Sequence, residues 1–269
     1  MRLFDFTLDE IADCYITAWL HEPMDGGEGS SRSYPGVIIC PGGGYYLVSS
    51  IEAEPVAEQY FAAGYNTFLL HYSVRDQAKD FIPLLQLAHT VARIRRCANE
   101  WDTDPNRIAV CGFSAGGHLA CSLGTLFNDP VFLGVLGKTI HIRPDAMILC
   151  YPVITADNSA HVGSIEMVSG ARKNSEKYQW FGLDLHVDKE TPPTFLWHTA
   201  EDPGVPVENS LKMASALSSA KVPFELHIFP YGGHGMSVCT KRVDNDCSYN
   251  RKWIALSIEW LNMQFNYQM

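Results

Sequence analysis

The chain has 269 residues, 46% hydrophobic and 19% charged, with a formal net charge of −10. That composition excludes a disordered chain. The negative charge argues against a nucleic-acid partner, whose phosphates it would repel.

The length suits one large α/β domain, 1–269, with a deep core. No apolar run is long enough to span a membrane, so no membrane partner is expected. Met1-Arg2-Leu3-Phe4-Asp5 turns acidic without an apolar segment or a cleavage site, and a cytoplasmic chain is expected. The eight cysteines form no C-x-x-C pair and no Cys/His cluster at zinc spacing, so no metal is expected. Cys40, Cys111, Cys121 and Cys150 fall inside apolar runs and read as small buried side chains. A Cys239–Cys247 bridge stays open beside the reading of free thiols in a reducing compartment.

In chain order, Cys14 to Leu20 reads as a strand. Asp25-Gly26-Gly27-Glu28-Gly29-Ser30-Ser31 is too polar and glycine-rich to pack, and reads as a hairpin tip or connection. Val37-Ile38-Ile39-Cys40 is a buried parallel strand. It runs into Pro41-Gly42-Gly43-Gly44-Tyr45, where the backbone can approach a ligand and present N–H groups, the plain alternative being a flexible turn. Ser49 and Glu52 have capping-box spacing. The helix after them carries Pro55 in its first turn and stops at Gly64. Asn66 to Tyr72 is the next buried strand. Pro83 opens a longer helix, with Leu84, Leu87, Ala88, Val91, Ile94 and Ala98 on its apolar face and Gln86, His89, Arg93 and Arg96 opposite. Thr103-Asp104-Pro105-Asn106 is a turn by composition.

Arg107 to Cys111 then leads into Gly112-Phe113-Ser114-Ala115-Gly116, and a helix-compatible run follows from His118. A G-x-S-x-G sequence between strand and helix is a nucleophile elbow. The turn is so sharp that the residues two before and two after the serine lie against each other, so only small ones fit. The helix that follows aims its free N–H groups at any oxyanion formed there.

Beyond the elbow, Asp145 to Tyr151 is a strand, and residues 155–190 read as a small insertion or lid. Thr194–Thr199 is a strand, 207–220 a helix, Phe224–Phe229 a strand and 253–265 an amphipathic helix. Strands alternating with helices predict an α/β fold, a mainly parallel sheet with helices on both faces.

A serine hydroxyl needs a base before it attacks. Thr199-Ala200-Glu201-Asp202-Pro203-Gly204 follows a strand and offers an acid, Asp202 by preference and Glu201 as the alternative. His234 sits among Gly232, Gly233 and Gly235 just past the last strand. His198 and His227 lie in apolar strand runs and read as structural, His118 as packing. Nothing local demands a role for His71 or His161.

With these stretches in place the chain resembles the α/β-hydrolase superfamily. Within it, the chain is similar to compact bacterial esterases described as acetylxylan esterase or xylanase-associated esterase-like proteins. Further matching stretches are Glu52-Ala53-Glu54-Pro55, Tyr151-Pro152-Val153-Ile154-Thr155 and the run from Phe224 to Gly235. The family pattern often has an arginine before Glu-Ala-Glu-Pro, where this chain has Ile51, and another where His71 stands.

The resemblance implies a catalytic triad of Ser114, Asp202 and His234. It also implies an oxyanion hole from the N–H groups of Gly43, Gly44 and Ala115. It further implies a serine carboxylesterase that cleaves short acyl esters, acetyl foremost, of carbohydrates such as xylo-oligosaccharides, with no cofactor. Tyr45, Tyr46 and Trp180 are candidate substrate contacts, with plain packing as the alternative. An arylformamidase-like hydrolase and a non-catalytic binding protein of the same fold are the rival readings. The oligomeric state is not set.

Overall fold

A computed structural model describes residues 1–8, 11, 13–22, 33–137 and 140–268. The connection expected at 25–31 lies outside the described residues. Among those described, eight strands form one sheet: β1 (Arg2–Thr7), β2 (Tyr15–Leu20), β3 (Tyr34–Cys40), β4 (Asn66–His71), β5 (Thr103–Phe113), β6 (Ala146–Cys150), β7 (Thr194–Thr199) and β8 (Phe224–Phe229). Their order is β1-β2-β4-β3-β5-β6-β7-β8. β3 to β8 are parallel, and β1 and β2 are antiparallel at one edge. The helices are α1 (Glu54–Ala62), α2 (Ile82–Arg96), α3 (Ala115–Leu126), α4 (Pro130–Leu136), α5 (Val162–Ser169), α6 (Glu176–Trp180), α7 (Glu208–Ala220) and α8 (Lys252–Phe265). This is the predicted architecture.

Side chains alternate across a strand, so the central strands feed two cores. Ile38, Val110, Leu149 and Leu196 share one core with Leu87 of α2, Leu119 of α3 and Leu217 of α7. Val37, Cys111, Ile148 and Trp197 share the other with Val56 of α1 and Trp253 of α8. The parallel strands all finish at the same, C-terminal, end of the sheet. There the loops after β3, β5, β6, β7 and β8 converge, the usual place for a ligand on such a sheet. No single helix among the described residues is long and apolar enough to cross a membrane.

Several local expectations are corrected. β1 has no counterpart among the predicted elements. Its Phe4 and Phe6 turn inward onto Trp101 while Leu3 and Asp5 face out, a period-2 signal only six residues long. The Ser49/Glu52 capping box does not form. Ser49 makes no side-chain cap, Ser50–Glu52 is a 3₁₀ turn, and the Glu52 carboxyl is buried against other loops. Gln86 and His89 are buried, not on a solvent face. The Gln86 amide accepts from the Ser73 N–H and donates to the Ser73 hydroxyl, which makes a polar side chain tolerable there. Thr103–Asn106 is not a free turn but the start of β5. Tyr34 pairs with Thr103 and Gly36 with Ile108, so the turn-forming residues bulge out of the ladder. All eight cysteines are free thiols.

Candidate active site

β5 ends at Phe113 and α3 begins at Ala115. Ser114 between them has φ 51° and ψ −117°, a conformation that side chains rarely adopt. Its backbone is held from three sides: its N–H donates to Cys150 O, and its O accepts from His118 and Val153. The flanking glycines are a packing necessity. A Cβ at Gly116 would fall 2.1 Å from Cys40 O and 2.3 Å from Pro41 O, and one at Gly112 would fall 2.2 Å from Gly116 O. These are backbone atoms that cannot swing away. Gly116→Ala is therefore expected to cost about 3 kcal/mol or more of stability. Urea unfolding checks this, and an unchanged midpoint would contradict the packing described.

The three side chains expected to meet do meet. The Ser114 hydroxyl lies 2.8 Å from His234 Nε2, and His234 Nδ1 lies 2.7 Å from Asp202 Oδ2. A carboxylate only accepts, so Nδ1 carries the proton and Nε2 is free to take one from serine. Glu201, the alternative acid, is exposed. Asp202 is buried and well supplied with donors. Its Oδ1 accepts the amides of Gly204 and Val205 at 2.8 and 2.9 Å. Its Oδ2 accepts His234 and also His198 Nε2 at 3.3 Å. Burial pushes this carboxyl up, but the hydrogen bonds from His198 and His234 and the charge of His234 outweigh it and hold it well below the usual carboxylate range. Asp202 therefore stays ionised at any working pH.

His198 thus has more than a packing role. Ser210 Oγ lies 2.8 Å from its Nδ1, and Nε2 reaches both Val205 O and Asp202. The only sequence signal for this is its place four residues before the acid. His118 is a packing residue as expected, between the Tyr45 hydroxyl and Phe181 O, with burial lowering its pKa to about 4.

The glycine loop forms the other wall. Gly43 takes φ +119°, and a Cβ there would meet Leu47 O at 2.2 Å, so only glycine fits. Gly43 O accepts the amides of Tyr46 and Leu47, which closes the turn. Gly43 and Gly44 line an open cleft of about 250 Å³ with Leu47, Ser49, Ile51, Glu52, Ser114, His161, His234 and Gly235. Ala115 opens α3, so its N–H has no acceptor within the helix.

The candidate substrate contacts divide. Tyr45 is corrected: its side chain is fully buried, with its hydroxyl on His118 Nδ1, because φ +63° at this residue turns it into the core. Tyr46 is exposed and lines a second groove of about 330 Å³ with Asp76, Lys79, Gly163, Glu166 and Arg172. Trp180 packs on Phe81, Phe181 and His186 and does not line the cleft. His71 stacks on Tyr15 at the β2–β4 pair. His161 does line the cleft; its Nδ1 is 2.8 Å from Ser164 Oγ at the start of α5. Within 155–190, Ile165, Val168, Tyr178, Phe181 and Leu183 are buried in the core that α2 and α3 share. Among the described residues no cluster of three His, Cys, Asp or Glu side chains could hold a metal ion.

Comparison with known proteins adds to this geometry. Residues 26–217 match the BD-FAE family. The chain is 37% identical over 210 residues to endo-1,4-beta-xylanase B of Butyrivibrio fibrisolvens, covering 75% of this chain and 32% of that protein. It is 29% identical over 217 residues to an acetylxylan esterase of Xylanibacter ruminicola, covering 78% of this chain and 42% of that protein. The chain therefore spans less than half the length of either relative. Among solved structures, an acetyl ester-xyloside bifunctional hydrolase from Caldicellulosiruptor lactoaceticus superposes with a TM-score of 0.80 at 37% identity, covering 93% of this chain and 88% of that one.

Proposed function

The chain belongs to the BD-FAE family of α/β-hydrolases, and from that premise we propose that it is a serine carboxylesterase removing short acyl groups, acetyl foremost, from carbohydrate esters. The observation that carries this reading is the relay from Ser114 through His234 to Asp202, set beside the glycine loop in an open cleft.

His234 takes the Ser114 proton, and the serine oxygen attacks the acyl carbonyl. The N–H groups of Ala115, Gly43 and Gly44 receive the oxyanion, each such donor being worth roughly 3 kcal/mol. His234 then hands the proton to the leaving alcohol. Water repeats the sequence on the acyl-enzyme and frees the acid. Asp202 holds the imidazole tautomer throughout.

Two features support a small acyl group on a polar alcohol. Of the side chains lining the cleft, only Leu47 and Ile51 are aliphatic, too little apolar surface for a long acyl chain. The groove holding Tyr46 and the cleft draw on chain neighbours, Tyr46 and Gly163 lining the one and Leu47 and His161 the other. An exposed aromatic ring flanked by Asp76, Lys79, Glu166 and Arg172 suits a sugar, whose hydroxyls both donate and accept. The names of the relatives, a xylanase and an acetylxylan esterase, support an acetylated xylan-derived sugar as the substrate class. A small ester substrate and a cytoplasmic location remain part of the reading.

Hydrolysis of nitrophenyl acetate, butyrate and octanoate tests it. Acetate is expected to exceed octanoate in kcat/KM by at least about tenfold, the loss expected when several methylenes find no apolar wall. Equal rates on all three would remove the short-acyl reading. Cleavage of an aryl formamide but of no ester would favour the formamidase.

A further inference from the structure

The Glu52 carboxyl reaches the wall of the cleft yet has no part in the proton relay. Its Oε2 accepts the Gly42 amide at 2.8 Å, and its Oε1 accepts the Tyr151 hydroxyl at 2.6 Å. The Tyr151 oxygen in turn accepts the Ser237 amide at 2.9 Å. The Ser237 hydroxyl donates to the carbonyl of Ile51, the residue before Glu52. These contacts close a ring, and all of Glu52, Tyr151 and Ser237 are buried.

The ring joins three loops of the site. Gly42 begins the glycine loop after β3. Tyr151 follows β6, and its ring stands edge-on to the His234 imidazole with centroids 5.1 Å apart. Ser237 lies three residues beyond His234 and also accepts the Trp253 indole N–H from α8 at 2.9 Å. Tyr151 and Ser237 both hold positive φ, 36° and 48°, conformations that persist only where several contacts fix them. Gly42 is the point where ring and nucleophile come together. A Cβ there would lie 2.7 Å from Glu52 Oε2 and 3.0 Å from Ser114 Cβ.

Burial raises the Glu52 carboxyl above its ordinary range, only partly offset by the bonds from Tyr151 and Gly42 and the nearby His234, which favour the charged form. Both oxygens act as acceptors, the arrangement an ionised carboxylate satisfies and an apolar side chain would leave as orphaned donors.

We propose that Glu52 is a positioning residue that ties the glycine loop to the histidine loop, keeping the Gly43 and Gly44 donors and the His234 imidazole in register around Ser114. This rests on the serine esterase reading. It places the effect of Glu52 on turnover, because loop register governs oxyanion and base geometry more than ground-state binding.

The test is steady-state hydrolysis of nitrophenyl acetate by wild type, Glu52→Gln and Tyr151→Phe, each with near-UV circular dichroism and a urea unfolding curve. Glutamine keeps the shape, but its NH₂ either meets the Gly42 N–H and loses that link, or donates to the Tyr151 oxygen and leaves the Tyr151 O–H without its acceptor, so the ring is weakened in either orientation. Tyr151→Phe opens the same ring at its other end. Each variant is expected to lose roughly 10- to 100-fold in kcat while KM moves less than about threefold, as for a displacement near 1 Å at the reacting centre. The double variant should lose little more than the worse single one, since both cut one ring. A natively folded Glu52→Gln or Tyr151→Phe with wild-type kcat overturns the proposal. So does failure of both variants to fold, which would make Glu52 a structural residue only. Wild type no faster than Ser114→Ala would instead sink the esterase reading itself.

Discussion

Ser114→Ala is expected to lower kcat on nitrophenyl acetate by at least about 10⁴-fold while leaving the fold intact, the scale seen when a nucleophile is removed from a serine relay. The change deletes one atom, the Oγ that bonds to His234 Nε2. Alanine keeps the Cβ, so the φ of 51° costs the variant about what it costs the native chain. The backbone bonds to Cys150, His118 and Val153 hold the turn without the hydroxyl. His234 Nε2 then faces the cleft, where water can satisfy it. Stability should therefore change by less than about 1 kcal/mol. Steady-state rates and urea unfolding on the same preparations check both halves. A folded variant that retains wild-type kcat would remove Ser114 from the mechanism.

Asp202→Asn is expected to cost about 10⁴-fold in kcat for a different reason, loss of the correct imidazole tautomer. Each Asp202 oxygen already serves two donors: Gly204 and Val205 on Oδ1, His234 and His198 on Oδ2. An amide NH₂ cannot take the place of either oxygen without facing donors. Turned toward the histidines, it forces His234 to accept at Nδ1 and to carry its proton at Nε2, where it can no longer take one from serine. Turned toward the loop, it leaves the Gly204 and Val205 amides unpaired in a buried site, which destabilises the loop by about 1–3 kcal/mol for each orphaned donor. The measurement is kcat beside the unfolding curve. Wild-type kcat in the folded variant would mean that Asp202 does not set the tautomer.

Much of the molecule was legible because its signals are local. A run of three to five apolar residues specifies a buried strand wherever the partners lie, and β3, β4, β6 and β7 follow that rule. The elbow was legible because its constraint acts over five residues. Gly112 and Gly116 are small because they touch each other and the neighbouring strand end. The candidate acid and histidine could be named because each follows a strand, and parallel strands deliver such loops to one end of the sheet.

What the sequence by itself determined, then, is the alternation of elements, the elbow and the order of serine, acid and histidine. Each depends on short-range sterics and side-chain period. What only the tertiary structure decided are contacts between residues far apart in the chain. Glu52 and Ser49 have capping-box spacing, yet the carboxyl goes to Gly42 and to Tyr151, 99 residues away, because a buried donor pair outbids a helix end. Tyr45 reads as a cleft aromatic, yet its backbone turns the ring inward to His118, 73 residues away. Gln86 sits on the polar side of α2 by periodicity, but the Ser73 loop covers that side and makes the amide a buried bridge. Thr103–Asn106 has turn composition, but the end of β3 pairs with Thr103 and turns the segment into a bulged strand. In each case local pattern fixes what a residue can do, and the partner brought up by the fold decides which of those things it does.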